Sequence, residues 1–143
     1  YPSMMRRQGA QQAMEDAGIR FEDKLYGLSN YDFESAYHAM NGLLARRAEF
    51  TALFAMSDVI AFGAIRALVS AGLRVPEDVS VIGFDGITMS RYCVPVMTTI
   101  VQPSEQIALQ SIELLVRQIE HGTPAQTVTL QPELQQGESV RAI

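Results

Sequence analysis

The chain holds 143 residues, one domain's worth of material, with 48% apolar and 19% charged side chains. Its net charge of −5 argues against a nucleic-acid-binding face, and Arg6-Arg7 and Arg46-Arg47 are its only basic doublets. A single cysteine, Cys93, leaves no internal disulfide, and no apolar run approaches the roughly 20 residues of a membrane-crossing helix.

Met5 to Ala17 reads as a helix, with Met5, Gly9, Ala13 and Ala17 along one stripe and Gly18 as its C-cap. Lys24 to Leu28 is a short strand candidate. Phe33 to Arg47 is helical, because Tyr37, Met40 and Leu44 recur at spacings of three and four. Thr51 to Met56 is a buried strand by its length and lack of alternation. Asp58 to Ala71 is the next helix, capped by Ser57 or Asp58 and stopped at Gly72. Val79 to Phe84 is another buried strand, and Thr98 to Val101 a short strand or crossing segment. Pro103 to His121 forms a long helix, with Ile107, Ser111, Leu114 or Leu115, and Gln118 or Ile119 around its core face, ended by Gly122. Thr127 to Leu130 is the candidate for a last strand, and the tail from Pro132 is ambiguous.

Alternating helices and strands with short connections select an α/β fold: a mainly parallel sheet flanked by helices. In such sheets ligands bind beyond the carboxyl ends of the strands. Ser57 and Asp85 each follow a buried strand, so both land on that rim. A carboxylate there accepts hydrogen bonds from two hydroxyls, which suits a sugar or nucleoside diol. The other reading of Asp85 is a turn former before Gly86. The helix after Ser57 has surplus apolar surface: Val59 and Phe62, beside Arg66, lie off its main face. A second subunit or a neighbouring helix would cover it.

From Phe54 to Gln102, this chain resembles the effector-binding core of LacI/GalR-type transcriptional regulators. The residues that carry the likeness are Ser57-Asp58, Val75-Pro76-Glu77-Asp78, Gly83-Phe84-Asp85 and Met97-Thr98-Thr99-Ile100-Val101-Gln102-Pro103. Upstream, Arg6-Arg7-Gln8-Gly9 looks like the family's Arg-x-x-Gly helix, and Asp32-Phe33 its Asp-aromatic segment. The resemblance implies one lobe of a type I periplasmic-binding-protein-like two-lobe core. Residues 1–143 would be its C-terminal subdomain, a fragment without the DNA-binding head or the N-terminal lobe. It also implies effector contacts at Arg6, Phe33, Ser57, Asp85 and Gln102. Tyr31 competes with Phe33 for the aromatic role, and a plain core Phe is a third reading. Ser57 stands where many relatives carry Asn, and Gly86 where a second aspartate is common. The tail Gly137-Glu138-Ser139 echoes an Arg-x-Ser ending, with Gly137 in the arginine's place.

The function expected is the ligand-sensing part of a repressor-type regulator, cytoplasmic and homodimeric, with a sugar or nucleoside effector. Operator DNA would be reached only through the absent head. A periplasmic sugar-binding protein of a transport system is the alternative. No enzyme activity, cofactor or metal is expected: the chain has no phosphate loop and no Gly-x-Gly-x-x-Gly, and Cys93, His38 and His121 lack metal-ligand spacing.

Overall fold

Three short runs become the parallel strands of one sheet, and the helix joining the first two is bounded by caps legible in the chain. A computed structural model describes residues 2–47 and 49–142. Its elements run α1 (Pro2–Asp16), α2 (Phe33–Ala45), β1 (Ala52–Phe54), α3 (Asp58–Ser70), β2 (Ser80–Asp85), β3 (Thr98–Val101), α4 (Ser104–His121) and β4 (Glu133–Gln135). Short 3-10 turns occupy Asp23–Leu25 and Thr88–Arg91.

The sheet order is β1-β2-β3-β4, with β1, β2 and β3 parallel and β4 antiparallel to β3. Register places Phe54 beside Ile82 and Asp85 beside Val101, so the carboxyl ends of β1, β2 and β3 make one edge. Packing centres on α3: Ala61, Ala67 and Leu68 are fully buried against Val81 and Met97. Burying a side chain such as Leu68 or Met97 contributes about 1.5–3 kcal/mol. α2 crosses α3 at Gly63, where a Cβ would collide with the Phe33 carbonyl and the Ala36 methyl. Close helix approach, not turn formation, is the reason for this glycine.

Ser57 is the N-cap of α3, its hydroxyl accepting from the Ile60 amide at 3.2 Å. Asp32 caps α2 in the same way through the Ser35 amide at 2.7 Å. α3 ends in a Schellman pair: the Gly72 amide donates to the Val69 carbonyl and Leu73 to Leu68, with Gly72 at φ 81°. Arg74 then clamps Asp78 through its backbone amide at 2.8 Å and its guanidinium at 2.9 and 2.8 Å. That grip holds the Val-Pro-Glu-Asp loop ahead of β2. Ser139, wholly buried, donates to the Val81 carbonyl at 2.6 Å and accepts from the Thr98 amide at 2.8 Å, sealing the gap between β2 and β3.

Four expectations are corrected. Lys24–Leu28 is not a strand; among the described residues no neighbour pairs with it, and its first part coils into the 3-10 turn. Thr127–Leu130 is not a strand, and the last strand is Glu133–Gln135. In α1 the stripe through Met5, Gly9 and Ala13 faces outward, because Arg6, Ala10 and Met14 turn toward the rest of the chain. The intended core face of α4 is largely uncovered: Ile107 is 40% exposed and Ile119 73%, and Leu114 is half-buried beside residues 123–130.

Candidate functional site

Three of the five site candidates, Arg6, Asp85 and Gln102, meet at the carboxyl ends of β2 and β3. Asp85 is the last residue of β2, half-buried, with φ of 108°, a conformation that costs a non-glycine residue energy. Gly86 follows at φ 72°, and a Cβ there would strike Val101. The backbone therefore turns sharply and leaves the Asp85 carboxylate on the sheet's carboxyl edge.

Two donors converge on that carboxylate, and both find the same oxygen. Gln102 Nε2 donates to Asp85 Oδ1 at 2.7 Å, and Arg6 Nη2 reaches it at 3.4 Å. Among the described residues no donor meets Oδ2, and the side chain is 29% exposed. Arg6 is fixed from two other sides: Nη1 donates to the Met56 carbonyl at 2.5 Å, and the guanidinium lies 3.8 Å over the Phe84 ring. Burial pushes the Asp85 carboxyl above the usual carboxylate range. The Gln102 hydrogen bond and the Arg6 charge oppose that shift, while Asp58 adds to it.

Arg6, Asp85 and Gln102 are thus one bonded cluster, assembled from α1, β2 and the end of β3. Ser57 adjoins it through its neighbour Met56, but it is 2% exposed and its oxygen is engaged in capping. Phe33 is exposed at the start of α2, and the aromatic contact it makes is with Phe62, at 6.2 Å between centroids. Tyr31, at φ 59°, is also exposed. Arg7 turns the other way, to Asp23 at 3.3 Å and the Tyr26 ring at 4.3 Å. On the α3 surface Val59 and Phe62 are half-buried and Arg66 is exposed.

Sequence reasoning overlooked Phe84, the Met56 carbonyl and above all Asp58. Read as a possible helix cap, Asp58 is wholly buried and hydrogen-bonded to Thr99 and to the Ile87 amide. One signal was available: Gly83, inside an apolar strand, marks a close approach by another group, and the group is Asp58. Among the described residues no three His, Cys, Asp or Glu side chains are grouped to hold a metal. No helix among them is long and apolar enough to cross a membrane.

A parallel sheet with a polar cluster on its carboxyl edge is shared by many binding proteins, and comparison with known families decides among them. The family model for the periplasmic binding protein-like domain matches residues 1–140. The chain belongs to that family. Within the periplasmic binding protein-like domains its relatives are LacI-type regulators, as the motifs suggested. It is 39% identical over 137 residues to the HTH-type transcriptional regulator MalR of Clostridium butyricum, covering 96% of this chain and 41% of MalR. The HTH-type transcriptional repressor PurR of Serratia proteamaculans is 38% identical over 136 residues, covering 94% and 40%. Among solved structures, the transcriptional regulator CelR in complex with cellobiose superposes with a TM-score of 0.89 at 35% identity, over 94% of this chain and 41% of CelR. The chain thus spans about two fifths of the length of these relatives.

Proposed function

We propose that this periplasmic binding protein-like lobe is the C-terminal half of the effector-binding core of a repressor-type LacI regulator. The observation that carries this is the Arg6–Asp85–Gln102 cluster on the open carboxyl edge of the sheet. Asp85 Oδ2 accepts from a hydroxyl, and the unspent N–H groups of Arg6 donate to ring or hydroxyl oxygens. A sugar or nucleoside supplies both kinds of partner, with the exposed Phe33 as a further contact. The cellobiose held by CelR and the regulator names of MalR and PurR support this reading over a transport protein or an enzyme.

In this reading a second lobe closes over the cluster, and further polypeptide covers the exposed apolar residues of α4 and the unpaired edge of β1. The protein is cytoplasmic and homodimeric, with Val59, Phe62 and Arg66 at the subunit contact. Ligand bridging the lobes stabilises one orientation, coupling effector to operator by about 1–3 kcal/mol. The test is thermal-shift screening of the full-length protein against cellobiose, other disaccharides, purine bases and nucleosides, followed by operator gel shifts with each binder. A compound that raises the melting temperature and changes operator affinity is the expected result. Catalytic turnover of the bound compound would overturn it.

A further inference from the structure

Asp58, at the start of α3, bonds both to β3 and to the turn after β2. It is 0% exposed, and its two oxygens have separate partners. Oδ1 accepts from the Thr99 hydroxyl at 2.5 Å, tying the start of α3 to β3. Oδ2 accepts from the Ile87 amide at 2.8 Å, reaching the turn after β2. Space for this carboxylate exists because residue 83 lacks a side chain, as a Cβ there would run into Oδ1.

Ile87 lies two residues beyond Asp85. The intervening backbone has φ of 108° at Asp85 and 72° at Gly86, and such a turn persists only where its surroundings hold it. On one side the Gln102 amide donates to the Asp85 carbonyl at 3.2 Å. On the other, the hold is Asp58 Oδ2 on the Ile87 amide. We infer that Asp58 is a positioning residue: it pins the Asp85–Gly86–Ile87 turn and so aims the Asp85 carboxylate at Arg6, Gln102 and the ligand. The ligand part of this inference rests on the proposed effector site; the pinning of the turn does not.

Hydrogen–deuterium exchange on the full-length protein reads the pinning directly, in the segment containing Ile87. Strong protection is expected in the parent, and rapid exchange there would overturn the inference without any variant. Asp58→Ala removes both acceptors and should speed exchange at Ile87 tenfold or more, while Asp58→Asn, which keeps an oxygen for that amide, stays close to the parent. Thr99→Val, which spares the Ile87 bond, should leave this segment protected even if Asp58→Ala fails to fold; loss of protection in Thr99→Val would overturn the inference.

Cellobiose titration then separates positioning from general loosening. Asp58→Ala should weaken binding at least tenfold in the parent background and less than twofold in an Asp85→Asn background, because its effect passes through Asp85. Equal losses in both backgrounds would overturn positioning and leave the effector site standing. Conversely, unchanged cellobiose binding in Asp85→Asn, with Ile87 deprotected in Asp58→Ala, would sink the effector site and uphold the pinned turn.

Discussion

Gln102 holds Asp85 twice: its side-chain Nε2 donates to Oδ1 at 2.7 Å, and its backbone amide donates to the Asp85 carbonyl at 3.2 Å. The residue leaving β3 thereby fixes both the backbone and the carboxylate of the residue ending β2. Converting that donor to an acceptor would set two carboxylates against each other. Gln102→Glu should weaken effector binding by about 1.4–2.8 kcal/mol, roughly ten- to a hundredfold, with little change in far-UV circular dichroism. Titration calorimetry of the variant checks this; parent-like affinity would remove Gln102 from the site.

Arg6 does three things that a lysine cannot do together. It bonds the Met56 carbonyl, reaches Asp85 and lies flat on Phe84. Arg6→Lys keeps the charge but loses the planar fork, and should cost about 1–2 kcal/mol of effector affinity. Arg7→Lys, on a side chain directed to Asp23 and Tyr26, should leave affinity unchanged. Equal effects of the two substitutions in binding titrations would contradict the division of labour between them.

Gly63 sets the distance between α2 and α3. On an isolated helix Gly→Ala gains about 1 kcal/mol, but here the new methyl meets the Phe33 carbonyl and Ala36. Overpacking should win, so Gly63→Ala should destabilise by about 1–3 kcal/mol in urea unfolding. A stabilised variant would mean that the helices separate freely.

Asp85 gives the site a pH signature. Its folded-state carboxyl is raised above its unfolded value, chiefly by burial, so ionising it opposes folding. Its stabilising contribution is therefore complete below the ordinary carboxylate range and is lost as pH rises through the raised folded value. Effector binding runs the other way, because a protonated carboxyl loses an acceptor. Affinity should fall on acidification, starting at a higher pH than an ordinary aspartate would give. Affinity measured against pH in the parent and in Asp85→Asn checks this, with the acid-side fall missing from the variant.

Much of the frame was legible because local signals and tertiary packing agree. Phe33 to Arg47 and Asp58 to Ala71 carry both periodicity and caps, and they formed within two residues of their expected ends. Thr98–Val101 appeared as read. Lys24–Leu28 failed because a strand needs a neighbour, and the chain's own sheet offers none there. The α4 face was recognised as apolar, but periodicity reports which face seeks cover, not whether cover is present. At the site, Asp85 followed from its position after a buried strand, Arg6 and Gln102 came from motif resemblance, and the coordinates show the hydrogen bonds that join the three. Asp58 stayed hidden because an aspartate at the start of a helix has an ordinary capping role, while its true partners lie 29 and 41 residues away.

The most direct measurement is the thermal shift of the full-length protein with sugars and nucleosides, parent beside Asp85→Ala. At least one compound should raise the parent's melting temperature and leave that of Asp85→Ala unmoved, the variant itself remaining folded. Equal shifts in the two proteins would contradict the assignment of this carboxylate to the ligand, and with it the reading of the sheet's open edge as half of a binding cleft.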